Sequence, residues 1–97
     1  MKFCLHKVQG DSMSPCFQHN DYVIGWHKAH MRYQCGDVIV TEHPVYKTII
    51  KRVIDVSEHK GLLLRGDNTL LSTTTTTLGW QPLTSVISKV LIRVPAK

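Results

Sequence analysis

The sequence predicts an all-β domain of coiled antiparallel sheets with little helix. Short apolar runs rich in β-branched and aromatic side chains recur along the chain. Breakers containing Gly, Pro, Asn or Asp separate these runs, and the longest run alternates in polarity with a period of two. Several short strands at this spacing favour one all-β domain that spans residues 1–97.

Six strands are predicted in order along the chain. They cover residues 5–8, 22–26, 38–41, 46–56, 62–65 and 86–94. The second and third each follow a turn that contains an aspartate, Asp21 or Asp37. Helix is expected only as single turns, one at residues 14–18 and one around residues 27–33.

Composition and charge narrow the class of protein. With 42% apolar and 20% charged residues, the 97-residue chain is expected to fold on one small core. The net charge of +5 permits contact with anionic partners, but the basic residues are scattered. No recognition helix, zinc finger or RNA-binding signature accompanies them, so no nucleic-acid partner is expected.

The cysteines and the lack of a targeting signal bear on metal binding and on localisation. Cys4, Cys16 and Cys35 form no CxxC pair, and together with the histidines they lack the spacing of a zinc site. We therefore expect reduced cysteines, no bound metal and no other cofactor. The sequence shows no signal-peptide pattern and no apolar stretch of the roughly 20 residues that span a bilayer. A cytoplasmic protein without a membrane span is the resulting expectation.

The first motif is GDSMSP at residues 10–15. A serine behind Gly-Asp and ahead of Met-x-Pro predicts a sharp turn that exposes the Ser12 hydroxyl. An ordinary Asp-Ser turn that Pro15 terminates is the alternative explanation, since so short a motif is weak evidence by itself.

The second motif is IIKRVI at residues 49–54. Strand alternation places Lys51 on the same face as Ile49 and Val53, and the neighbouring Arg52 on the other face. An edge lysine with a solvated ammonium is the alternative. If Lys51 faces inward, burial lowers its pKa, and a neutral amine can accept a proton from a serine hydroxyl.

The third motif is Gly-Asp-Asn at residues 66–68, followed by Ser72 and by Gly79–Trp80. A tight hairpin turn explains Gly-Asp-Asn equally well.

The order of the motifs along the chain identifies a protein family more specifically than any single motif does. GDSMSP, GDVIVT, IIKRVI, RGDN with a serine four residues later, and LGW occur in an order that resembles the S24/S26 Ser-Lys peptidase superfamily. This group contains type I signal peptidases and LexA-like self-cleaving domains. The resemblance extends from about Val8 to Val94 and implies the β-sheet catalytic core of a soluble member without an anchor. It also implies a serine endopeptidase that cleaves a protein or peptide bound as an extended strand, such as a maturation or processing protease.

The resemblance assigns a role to each matching residue. Ser12 corresponds to the nucleophile and Lys51 to the general base. Met13 is expected beside the substrate groove. The backbone N–H groups of Ser12 and Asp11 are expected to form the oxyanion hole.

Supporting residues come from the same resemblance. Ser72 corresponds to the hydroxyl that holds the lysine in place, and Arg52 and Asp67 to an ion pair that ties the lysine strand to the turn containing Asn68. The chain departs from signal peptidases at Gly10, where they have a hydroxyl-bearing oxyanion donor, and at residues 74–76, where threonines replace Asp-Ser-Arg.

Two other functions remain open. The departures at Gly10 and at residues 74–76 are also consistent with a non-catalytic module that binds a peptide or protein through the same groove. Self-cleavage is the second alternative, although the residues before Ser12 contain no Ala-Gly or Cys-Gly bond. The sequence leaves the substrate and the oligomeric state undetermined.

Overall fold

The computed structural model describes residues 1–68 and 78–95. Seven strands are formed by these residues: β1 (Lys2–Lys7), β2 (Tyr22–His27), β3 (Val38–His43), β4 (Lys47–Ser57), β5 (Gly61–Arg65), β6 (Trp80–Gln81) and β7 (Val86–Val94). A short 3-10 helix, Leu83–Ser85, precedes β7. Within the described part of the chain, no helix is long and apolar enough to cross a bilayer.

All seven strands belong to one antiparallel sheet, in the order β1-β2-β7-β3-β4-β5-β6. The last strand, β7, lies between β2 and β3 and so joins the first hairpin to the centre of the sheet. Register shifts interrupt three of the pairings, at Ile24/Gly25, Val40/Thr41 and Val53/Asp55. Such bulges increase local twist and bend a sheet. The predicted all-β architecture is confirmed.

The structure differs from the prediction in three short segments. The first strand, β1, covers Lys2–Lys7 instead of residues 5–8. β6 consists of only two residues, Trp80 and Gln81, which is too short to show a polarity pattern. No helical turn forms at residues 27–33, where β2 continues through His27 and a turn follows. His30 has a φ of 58°, which lies in the left-handed region and is incompatible with a right-handed helix. By contrast, Phe17 N–H donates to the Met13 carbonyl, which closes a single turn near the predicted 14–18 segment.

The sheet carries an apolar core on each face. The first core contains Val8, Met13, Phe17, Val23, Val38 and Val40. The second contains Ile39, Val53, Leu62, Leu64, Leu78 and Val86. Because Ile39 and Val40 are consecutive residues of β3, their side chains leave the strand on opposite faces. Met13 is 1% exposed, so its packing in the first core holds the loop that carries Ser12 against the sheet.

A close contact between β2 and β7 requires glycine at position 25. A Cβ at Gly25 would lie 2.9 Å from the Ser88 Cβ and would also clash with the Ser88 Oγ. Ser88 is fully buried, so it has little room to move. We expect Gly25→Ala to lower the free energy of unfolding by about 1–3 kcal/mol in a urea titration, because of this overpacking.

A double-mutant cycle provides the control. In the Ser88→Gly background the same Gly25→Ala change should cost less, because the clashing atoms are absent. An equal cost in both backgrounds would contradict the contact.

Candidate active site

Ser12 and Lys51 line the same cavity, which has a volume of about 180 Å³. The cavity lies between two segments, residues 6–9 at the end of β1 and residues 48–51 of β4. Met13 and Val40 complete its apolar wall. Two residues that are 39 positions apart in sequence (51 minus 12), one with a hydroxyl and one with an amine, therefore line one partly open cavity.

Lys51 is buried among apolar neighbours. Its residue is only 5% exposed, and in the ladder it is opposite Ile39, a member of the second core. Ile49 and Val53 share its face of β4 by strand alternation. This burial lowers the pKa of the Lys51 amine, because desolvation penalises the charged ammonium. The structure thus provides an environment that favours the neutral amine, which is the form of lysine that can accept a proton.

Asn68 orients the backbone on both sides of the Ser12 Cα. Its backbone N–H donates to the Ser12 carbonyl at 2.7 Å, and its Nδ2 donates to the Asp11 carbonyl at 3.1 Å. In a planar trans peptide the N–H points opposite to the C=O. Because the Asp11 carbonyl points toward Asn68, the Ser12 N–H points away from it. Asn68 therefore sets the direction of the Ser12 N–H group, which the family resemblance predicts to be part of an oxyanion hole.

Arg52 and Asp67 form the ion pair that the resemblance implied. The Arg52 Nε and Nη2 atoms donate to the two carboxylate oxygens of Asp67, each at 2.8 Å. The Arg52 Nη1 also donates to the Gly36 carbonyl at 2.8 Å. Arg52 lowers the pKa of Asp67, and Asp67 raises the pKa of Arg52, mainly through these hydrogen bonds. The pair ties β4 to the turn that positions the Ser12 backbone.

Met13 connects the loop to this turn as well as to the core. The Asp67 N–H points at the Met13 sulfur from 3.4 Å, and Met13 also lines the cavity. Gly10 has a φ of 79° and donates its N–H to His19 Nδ1 at 2.8 Å, so its conformation suits glycine. Ser72 and residues 74–76 lie outside the described residues.

His6 is a cavity residue that sequence reasoning missed. Its ring lines the cavity, and within the described part of the chain its buried Nε2 atom has no hydrogen-bond partner. Burial lowers the pKa of His6 and so favours the neutral imidazole. Its strand is short and mixed in polarity, and only the fold brings the end of β1 next to Ser12, so the sequence contains no signal for this placement.

The described residues include no group of three or more His, Cys, Asp or Glu side chains arranged to hold a metal ion.

A comparison with protein-family models gives a match to Peptidase S24-like over residues 2–90. The chain belongs to the Peptidase S24-like family. This family match confirms the predicted membership in the S24/S26 superfamily, and the matched range includes Ser12, Lys51 and Asn68. No curated protein and no solved structure matches the chain.

The Arg52–Asp67 pair should contribute measurably to stability. We expect Asp67→Asn to reduce the free energy of unfolding at neutral pH by about 2 kcal/mol, because the change leaves the part-buried guanidinium without its anion. The lowered pKa of Asp67 means that the carboxylate stabilises the fold above about pH 4 and that this contribution is lost as the pH falls through the folded-state value.

The measurement is urea unfolding of both proteins from neutral to acidic pH, with Glu58→Gln, an exposed turn residue, as the matched control. The difference between wild type and Asp67→Asn should shrink toward low pH, while the control stays near wild type throughout. A pH-independent difference would contradict the assigned role.

Proposed function

We propose that this protein is a serine endopeptidase in which Ser12 is the nucleophile and Lys51 is the general base. One observation carries the proposal: a half-buried serine hydroxyl and a lysine of lowered pKa line one cavity. Membership in a peptidase-like family supports it. A Ser-Lys pair is a known variant of serine-protease chemistry, in which the amine replaces histidine.

In the proposed mechanism the neutral Lys51 amine removes the Ser12 hydroxyl proton as Oγ attacks the scissile carbonyl carbon. The Ser12 and Asp11 N–H groups stabilise the resulting oxyanion. The Lys51 ammonium then gives its proton to the departing amine, the carbon–nitrogen bond breaks, and an acyl-enzyme ester remains. Lys51 next takes a proton from water, whose oxygen attacks the ester, and returns that proton to Ser12 as the product acid leaves.

The lowered pKa decides whether this base is available. At a lysine pKa of about 10.4, only about one amine in a thousand is neutral at pH 7.4. Burial of Lys51 lowers its pKa, because desolvation penalises the ammonium, and so raises the neutral fraction. Without burial of Lys51, the same two side chains would rarely be in the reactive protonation state.

An open stretch of β4 offers a place for an extended substrate. β5 pairs with β4 from Arg52 to Ser57, so within residues 1–68 and 78–95 the first half of β4 has a strand partner only in β3. That unpaired edge borders the cavity at residues 48–51. A peptide added there as a strand would use backbone hydrogen bonds for affinity and cavity contacts for side-chain selection.

Cleavage of a diverse peptide library, read by mass spectrometry, tests the proposal. We expect the wild type to generate products, and Ser12→Ala and Lys51→Met to lose at least about 10³-fold in kcat/KM, since each removes half of a unit that acts together. Ser14→Ala, on the same loop, and Lys60→Met, an exposed lysine, are the matched controls and should cleave like the wild type.

Cleavage by Ser12→Ala at the wild-type rate would overturn the assignment of the nucleophile. If the wild type binds peptides tightly but cuts none between about pH 5 and 11, a range that spans the pKa values of deeply buried and of solvated lysines, the protein is a binding module. The lack of a side-chain oxyanion donor at Gly10 would then explain why the protein binds peptides without cleaving them.

A further inference from the structure

Two polar side chains, those of His6 and Thr48, line the cavity from its two walls. His6 belongs to the wall at the end of β1, and Thr48 belongs to the wall formed by β4. The cavity lies on the side of the first core, because Met13 and Val40 of that core also line it. An otherwise apolar cavity therefore has a hydrogen-bonding residue on each wall.

The strand registers direct both side chains toward the first core. His6 is opposite Val23, a member of that core, and residues directly opposite each other in a ladder project from the same face. Thr48 shares its face of β4 with Ile50, which packs against the same core. The side chains of His6 and Thr48, and not only their backbones, are thus on the cavity side of the sheet.

The hydroxyl proton of Thr48 is already used within the protein. The Thr48 Oγ1 donates to the Glu42 Oε1 at 2.7 Å, and Glu42 lies directly opposite Thr48 in the ladder of β3 and β4. A hydroxyl has one proton to donate and two lone pairs that accept. Thr48 therefore offers an acceptor, and not a donor, to a group that enters the cavity.

His6 contributes a polar ring that the free protein leaves incompletely satisfied. Within the part of the chain that the structure describes, its buried Nε2 has no hydrogen-bond partner. Burial lowers the pKa of His6 and so favours the neutral imidazole, which has one donor and one acceptor nitrogen. An unpaired buried polar atom destabilises a protein, so a ligand that pairs with the ring binds more favourably for doing so.

The charges at the cavity disfavour ionic side chains. Lys7 and Lys51 line it together with His6, so a cationic side chain would meet basic groups. An anionic side chain has no proton to donate to Thr48 and would approach the Glu42 carboxylate. A purely apolar side chain would leave the polar atoms on both walls unpaired. The group that fits is neutral and can both donate and accept.

We propose that His6 and Thr48 make the cavity selective for a substrate side chain that carries a hydroxyl or a carboxamide, which means serine, threonine, asparagine or glutamine. That group donates to Thr48 and pairs with the His6 ring, while the apolar wall packs against its carbon atoms. The inference rests on the proposed function for the nature of the ligand, a peptide added as a strand whose alternate side chains turn toward the cavity. A site of this kind rejects an analogue that lacks the polar group, because the polar atoms of the site then stay unpaired.

A randomised peptide library tests the inference through two separate measurements. The Ser12→Ala protein selects peptides by binding alone, and the wild type selects them by cleavage; mass spectrometry identifies the peptides in both cases. We expect one position of the selected peptides to favour Thr over Val and Asn over Leu, pairs of similar shape, by at least about fivefold.

Two variants remove the polar atoms with little change of shape. His6→Phe and Thr48→Val, each combined with Ser12→Ala for the binding measurement, should shift the preference at that position toward Val and Leu. His59→Phe, in an exposed turn, and Thr84→Val, in the exposed part of the 3-10 helix, are the matched controls and should keep the wild-type preference.

Urea unfolding separates selectivity from folding. Because His6 Nε2 has no partner among the described residues, His6→Phe should unfold at a urea concentration equal to or above that of the wild type. A merely structural histidine would instead lose stability on this change. Retained stability together with a lost preference for polar side chains would assign the imidazole to the ligand.

The outcomes distinguish this inference from the proposed function. Selection of polar side chains by Ser12→Ala without any cleavage by the wild type would support the selectivity and overturn the hydrolysis. Cleavage with a preference for Val and Leu at every position would support the hydrolysis and overturn the selectivity. The selectivity is also overturned if folded His6→Phe and Thr48→Val proteins keep the preference for Thr over Val. A protein that neither binds nor cuts peptides would overturn both.

Discussion

The burial of the Lys51 amine is the constraint on which the site depends. Removal of an ammonium from water shifts its equilibrium toward the neutral amine, and the Lys51 residue is only 5% exposed. The same burial costs stability. Because the folded-state pKa lies below that of the unfolded chain, the penalty is absent above the unfolded value and grows as the pH falls to the folded one. The burial that favours the neutral Lys51 amine, which the proposed mechanism needs, therefore also lowers the free energy of unfolding.

Two consecutive residues of β4 meet opposite electrostatic environments. Lys51 lies against apolar neighbours on one face, whereas Arg52 leaves the strand on the other and is neutralised by Asp67. The carboxylate belongs to the turn whose Asn68 holds the Asp11 and Ser12 carbonyls. A single strand thus supplies the desolvated amine and, through the ion pair, fixes the backbone that presents the serine. This connection explains why a short chain can hold the two groups in one cavity.

Sequence patterns predict those parts of the molecule that depend on local order. Alternation along the fourth predicted strand indicates both its extent and the face of Lys51, because a period of two maps directly onto the two faces of a sheet. β6 has two residues and no measurable pattern, and the left-handed conformation at His30 replaces a predicted helical turn. The cavity position of His6 and the exposure of Phe3 depend on which strands become neighbours, and alternation within one strand contains no information about that.

An NMR titration of the lysine side chains tests the central claim most directly. With Lys51→Met used to assign its signal, we expect the Lys51 amine to titrate below the value of about 10.4 for a free side chain, because burial lowers its pKa. Its deprotonation midpoint should then coincide with the alkaline rise of kcat/KM. A Lys51 signal that titrates at about 10.4, the value of a free side chain, would show that the amine is solvated, and it would contradict the account.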